Sequence, residues 1–205
     1  DAAEEIIGTY GLEADVESSD IQHENIVQYE MTDWDFLVSR MDMIGKICLV
    51  SDGKVSFKKP DLQAESVLDV LFGATILEYR SDIDSRQQLK SVTATGWDYS
   101  SQALLEATAE EPSVAEEAGN ITATDLSDVL GVDDFKLINP SKLEQEELQS
   151  IADAKLMRHR LSKVSGSVDF QGYPQLVPAS FITLNDVVER SKGPFFVNFI
   201  NFIVF

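Results

Sequence analysis

The sequence predicts an α+β fold, mainly β, and three observations carry that expectation. A helix marked at both ends runs into two short apolar stretches separated by Asp52-Gly53, a strong hairpin signal. Alternating or β-branched runs recur later, at 74–80, at 88–98 and from Ser165 onwards. One long helical pattern, beginning at Pro140-Ser141, separates the last two of these regions. With 205 residues, 43% of them hydrophobic, a core can form in one or two domains.

The first ten residues read as a short helix. Asp1 can cap it, Glu4 and Glu5 suit its first turns, and Ile6, Ile7 and Tyr10 supply an apolar face. Gly8 weakens it by about 1 kcal/mol relative to Ala, and Gly11 ends it. A polar connection, 13–27, follows. It holds a short extended piece, Leu12–Val16, and His23, which is expected to be a solvated loop residue because no second His or Cys stands near it. The next helix, within 29–45, has Thr32 as its N-cap and Asp35 three residues on, as in a capping box. Asp33 and Asp35 place negative charge at the positive end of the helix dipole. Trp34, Leu37, Val38, Met41 and Ile44 recur at helical spacing, and Gly45 can take the left-handed conformation that stops a helix. Strands are expected at 46–50 and 54–58, joined at Ser51-Asp52-Gly53.

Further on, 74–80 reads as a strand and Asp82-Ile-Asp84-Ser-Arg as a turn. Asp82 and Asp84 resemble the start of a calcium loop, but the Gly and distal Glu that such a loop needs are missing. The run 88–98 alternates, with Leu89, Ser91, Thr93 and Thr95 on one side and Lys90, Val92, Ala94 and Gly96 on the other. Residues 101–108 suit a strand or a short helix equally. Acidic residues dominate 106–147, and Pro112, Gly119, Asn120 and Gly131 punctuate it, so a loop-rich crossing is expected, anchored by Val129-Leu130 and Phe135-x-Leu-Ile138. In the long helix, Ser141 caps and Glu144 completes a capping box. Leu143, Leu148, Ile151, Ala152, Lys155, Leu156 and His159 track one side, with acids early and Arg158, Arg160 and Lys163 late, as the dipole favours. His159 is accordingly expected at the surface or an edge. Strands are expected at 166–172, 180–184 and 195–205, with a turn at 192–194.

The net charge of −20 argues against nucleic acid, whose phosphates need a basic surface. It is compatible with a basic protein partner or bound cations. No apolar run reaches the roughly 20 residues of a membrane span. Cys48 is the only cysteine, so no intrachain disulfide forms, and its apolar strand setting makes it a small core residue. Asn120-Ile-Thr122 matches a glycosylation sequon. No nucleophile elbow, phosphate-binding loop, dinucleotide-binding glycine turn, His-x-x-x-His pair or Cys-x-x-Cys pair is present. No catalytic, cofactor-binding or metal-binding residue is therefore assigned, no cofactor is expected, and the chain is not expected to be an enzyme. The sequence opens on a helix start and stops within a strand pattern, and is expected to be a segment of a longer polypeptide.

Three stretches in the same order carry a family resemblance: Tyr10-Gly11-Leu12; Gln28-Tyr29-x-x-Thr32-Asp33-Trp34-Asp35-Phe36-Leu37-x-x-Arg40; and Val92-x-Ala94-x-Gly96-Trp97-Asp98. Together with Gly166-x-Val168-x-Phe170-x-Gly172 they resemble the late control protein D and VgrG group, the hub and spike proteins of contractile injection machines. The chain departs from that pattern at Val197-Asn-Phe-Ile-Asn201, where the family carries Val-x-x-Val-x-His. The resemblance implies hub-like β-barrels with a small helix-hairpin domain and a long connecting helix. It divides the chain into a helix-hairpin domain at 1–65, a second hub barrel made of 66–110 and 140–205, and the acidic crossing loop at 111–139. It also implies a homotrimer that joins a hexameric tube to a spike and adapts the symmetry between them. Its partners would be the tube protein hexamer, baseplate proteins, and effectors or a spike tip protein. Such a protein would assemble in the bacterial cytoplasm as part of a type VI secretion system, a phage tail or a related particle, and leave on contraction. Phe195, Phe196, Phe199, Phe202 and Phe205 are expected in the core or at the protomer interface. A tail-associated hydrolase and a β-rich surface adhesin are the alternative classes.

Overall fold

The structure, a computed structural model, describes residues 2–19, 21, 23, 25–139 and 143–202. The expected roles of Asp1, Ser141 and Phe205 lie outside the described residues. In chain order the elements are α1 (Ala2–Thr9), β1 (Glu13–Val16), α2 (Asp33–Met43), β2 (Ile47–Ser51), β3 (Lys54–Lys58), β4 (Ser66–Leu71), β5 (Ile76–Ile83), β6 (Val92–Asp98), β7 (Ala103–Thr108), α3 (Ala123–Leu130), β8 (Phe135–Asn139), α4 (Gln145–Leu161), β9 (Val164–Phe170), β10 (Phe181–Asn185) and β11 (Gly193–Phe196), with a 3-10 turn at Glu189–Ser191. The fold is mixed α and β, with more strand than helix. It divides into two compact units, each assembled from separate stretches of chain. The first is Asp1–Pro60, Val92–Glu110 and Lys136–Lys155; the second is Asp61–Ser91, Glu111–Phe135 and Leu156–Phe205.

In the first unit, α2 forms where its signals stand. The Thr32 hydroxyl accepts from the Asp35 amide at 3.1 Å and donates to the Asp35 carboxylate at 2.8 Å. At the other end Gly45 has φ +80. Its amide donates to the Asp42 carbonyl and that of Lys46 to the Met41 carbonyl, the paired bonds of a Schellman motif. The apolar stripe is rotated from the expected one. Phe36 and Leu37 are buried, Val38 and Met41 pack beside them, and Trp34 is half exposed. The hairpin forms as expected: Ser51 pairs with Lys54, and Asp52 and Gly53 take φ +51 and +80 between them. The extended piece after α1 adds to this hairpin as a parallel strand, giving the order β1-β3-β2. Val55 and Phe57 of the central strand β3 pack with Ala3, Ile7, Phe36 and Leu37. Burial of a side chain such as Phe57 stabilises by about 2–3 kcal/mol.

A second sheet, β7-β6-β8, belongs to the same unit apart from Phe135 at the start of β8. The segment 101–108, which the sequence leaves open between helix and strand, pairs with β6 as a strand. Residues 92 to 96 of β6 are buried in succession, because the strand is central and covered on both faces. The α4 helix approaches it closely at Gly96, where an added Cβ would stand 3.3 Å from Leu148 Cδ1.

The second unit holds the sheet β11-β10-β4, in which β10 runs antiparallel to β11 and parallel to β4. It also holds the two-stranded ribbon of β5 and β9. Val70, Ile76, Leu176, Ile182 and Leu184 form its core. Four expectations are corrected. The sheets are open, with three strands at most, too few to curl shut, so the described residues close no barrel. The strand after 74 runs on to Ile83, so Asp82 lies in β5 and only Asp84 enters the turn. The acidic crossing is not only loop: Thr122 and Asp125 form a complete capping box for α3, Gly131 ends it at φ +69, and β8 follows. Its expected anchors Val129 and Ile138 point outward, while Ala123 and Ser127 are the buried side of α3. Finally, 192–194 is not a separate turn: Gly193 and Pro194 already belong to β11, which ends at Phe196, and 197–202 is irregular.

Candidate functional site

Within the first unit, residues far apart in sequence meet at the ends of α1 and α2. The Tyr10 hydroxyl donates to Asp33 Oδ2 at 2.7 Å, and Gln28 Nε2 donates to Asp33 Oδ1 at 2.9 Å. The bond to Asp33, and then its charge, push the Tyr10 phenol above its ordinary value. The amide of Gln28 and the phenol of Tyr10 hold the Asp33 carboxyl below the usual carboxylate range. Arg40, in the last turn of α2, reaches His23 Nε2 at 3.3 Å, and His23 Nε2 lies 3.4 Å from Glu147 Oε1. Glu147 is 1% exposed, and its Oε2 has no hydrogen-bond partner among the described residues. His23 is an exposed loop residue, as expected, and it also lies against a buried carboxylate. Glu147, one of the acids expected in the first turns of the long helix, is that carboxylate.

The remaining polar candidates have structural partners. Arg86 grips Asp84 through its amide at 2.9 Å and its guanidinium at 2.8 and 2.9 Å, which holds the Asp84 carboxyl at a pKa of about 2. Burial pushes the Cys48 thiol up, away from the reactive thiolate. His159 is buried rather than at an edge, and its carbonyl accepts from the buried Gln88 amide. Among the described residues, no group of three or more His, Cys, Asp or Glu side chains stands where it could hold a metal ion.

The second unit carries the most constructed site. Residues 111–119 cross it as a strap fastened at intervals. Arg160 donates to Glu111 from Nε and Nη2, at 2.5 and 2.9 Å. Gln63 donates to Ser113, and the Ala115 amide to the Leu62 carbonyl. Lys163 Nζ donates to Glu117 at 2.6 Å and to the Ile121 carbonyl at 2.9 Å. Burial raises the Glu117 pKa, but the Lys163 ammonium, the Ala123 amide and the Arg160 charge together outweigh it, and the carboxyl ends below its ordinary value. At the far end the Gly119 amide donates to the Lys192 carbonyl at 2.6 Å. Beneath the strap lies a partly open cavity of about 60 Å³, walled by Ala118, Leu161, Val164, Phe181 and Phe196. The sequence marks this stretch only as acidic. Its signal was the pairing of acids at 111 and 117 with Arg160 and Lys163, which composition alone cannot reveal.

Apolar groups also face outward. Trp97 and Leu104 are cross-strand partners on β6 and β7, exposed by 42% and 57%. In the second unit Leu77 stands at the register shift between β5 and β9 and is 80% exposed. The expected phenylalanine cluster divides. Phe195 joins the core, and the Phe196 ring meets Phe181 edge-on at 5.5 Å. Phe199 and Phe202 are exposed. Among the described residues no helix is long and apolar enough to cross a membrane.

A family model described as the Alg8 N-terminal domain matches residues 1–204. No curated protein sequence matches the chain. Among solved structures, the chain is similar to the 43 kDa tail protein of prophage MuSo2 from Shewanella oneidensis, with a TM-score of 0.58 and 12% identity, over 94% of this chain and 55% of that one. It is also similar to the tail protein from Neisseria meningitidis MC58, with a TM-score of 0.62 and 13% identity, over 90% of this chain and 56% of that one. At such identities the likeness is one of fold, and the chain spans little more than half the length of either tail protein.

Proposed function

The chain belongs to the Alg8 N-terminal domain family, and from its fold we propose that it is a structural component of a phage tail or a related contractile injection machine. The observation that carries this reading is the likeness to two tail proteins, one of them from a prophage, over nine-tenths or more of the chain. Within that reading we assign it the hub and spike role of the late control protein D and VgrG group. It acts as a homotrimer that joins a hexameric tube to a tapering spike. Its work is load transfer and symmetry adaptation, without catalysis. The bond between Tyr10 and Asp33 supports this assignment, because it joins two of the stretches that carry the sequence resemblance. The exposed Trp97, Leu104 and Leu77 supply apolar surface of the kind obligate oligomers bury.

Its partners are then two further copies of itself, the tube protein and baseplate proteins, and it assembles in the bacterial cytoplasm before export on contraction. Particles purified from the host provide the test. Sheathed particles that contain the protein at three copies each support the proposal. Its absence from such particles, with the protein recovered free or in a cell-surface fraction, overturns it.

A further inference from the structure

We propose that the cavity beneath the 111–119 strap is a socket for a lysine side chain of a basic protein partner. This goes beyond the tail role and rests on the second unit alone. The walls are apolar, but charged groups surround the opening, and their exposure decides what the cavity presents. The side chains of Arg160 and Lys163 are 8% and 6% exposed, and their hydrogen bonds are taken by Glu111, Glu117 and backbone carbonyls. The carboxylate partners are far more open, at 59% for Glu111 and 40% for Glu117. Glu116 also lines the cavity, is exposed, and has no salt-bridge partner among the described residues. Solvent therefore meets carboxylates, while the cations are turned inward and neutralised.

Size allows such an occupant. The volume of about 60 Å³ is several times the ~10–15 Å³ that one water needs, so a slender chain such as the Cγ, Cδ, Cε and Nζ atoms of a lysine can enter it. An aliphatic stem on the apolar walls with an ammonium at the acidic rim matches both parts of the site. Phe181 and Phe196 are the aromatic part of the walls that take the stem. The net charge of −20 favours the approach of a basic partner.

The test uses n-butylammonium as the probe for a lysine side chain and n-butanol as its neutral counterpart, each titrated into the isotopically labelled protein at 150 mM salt and followed by NMR. We expect shifts confined to Ala118, Val164, Phe181, Phe196 and their neighbours, with butylammonium binding at least fivefold more tightly than butanol. Glu116→Gln should weaken butylammonium about threefold and leave butanol unchanged. Because Glu116 is exposed, that variant should keep the wild-type melting temperature. Equal binding of the two probes would make the site a neutral apolar pocket and overturn the proposal. So would shifts scattered over the acidic surface, or no shifts at 100 mM probe. None of these outcomes depends on oligomeric state, so the socket and the tail role fail separately.

Discussion

Gln149 donates from its side-chain amide to the Thr108 carbonyl at 2.9 Å, four residues after Gln145 does the same to the Glu106 carbonyl at 2.7 Å. Asp153, another four residues on, accepts from the Glu110 amide at 2.8 Å. The helix α4 thus follows the outer edge of β7 in the manner of a neighbouring strand. The match is geometric. Four residues of helix rise about 6 Å, and two residues of strand rise about 6.8 Å, so side chains at every fourth helical position meet backbone groups at every second strand position. Gln149 also donates to Asp153 at 2.8 Å, which ties the row together. An edge covered in this way is closed to pairing with other chains.

The first prediction concerns that row. Gln145→Ala with Gln149→Ala removes three hydrogen bonds and should cost about 1.5–4.5 kcal/mol in urea unfolding, at roughly 0.5–1.5 kcal/mol per bond. Hydrogen exchange at the Glu110 amide, whose acceptor Asp153 is held by Gln149, should quicken before exchange in β6 does. Unchanged exchange at Glu110 would show that the row gives it no protection.

The buried Glu147 provides a second. Removing both side chains that contact it, His23→Ala with Arg40→Ala, should destabilise by about 2–4 kcal/mol, because a carboxylate is left buried without either partner. Glu147→Gln in that background should recover at least half of the loss, since a neutral amide is cheaper to bury. Failure of the rescue would mean that the two residues matter through packing and not through charge.

The strap is expected to be sensitive to acid. Glu117 has a lowered folded-state pKa, so its contribution is present above the ordinary carboxylate range and is lost as pH falls through the folded value. The stability gap between the wild type and Glu117→Gln should therefore be open at pH 7 and close below about pH 4. A gap that stayed constant down to pH 3 would contradict the Lys163–Glu117 anchor.

Backbone shape fixes the same strap at Gly119. Its φ is +82, and an added Cβ would stand 2.2 Å from the Arg190 carbonyl oxygen. Gly119→Ala should cost about 2 kcal/mol or more, read as a lowered melting temperature. Gly131→Ala at φ +69, where nothing lies within 4 Å, should cost about 1 kcal/mol.

What the sequence reveals follows the range of the forces. Thr32, Gly45 and Asp52-Gly53 act within a few residues, and α2 and its hairpin form where these signals stand. Thr122, Asp125 and Gly131 carry equally local signals for α3, but the surrounding acids mask them when the stretch is read by composition. Long-range placement is less legible. Trp34 and Phe36 are both large and apolar on one helix, and only the position of β3 decides that Phe36 goes in. The early acids of the long helix read only as dipole partners, because dipole and capping rules describe a lone helix, whereas Glu147 of α4 is buried. The cavity under the strap depends on contacts between 111–119, the end of α4 and β11, which no periodicity records.

The most direct measurement of the central claim is the mass of the purified protein in solution, by light scattering at micromolar concentration. The proposed hub role predicts three protomers, stable on dilution. A stable monomer would contradict a trimeric hub and leave the exposed Trp97, Leu104 and Leu77 without the partner surface assigned to them.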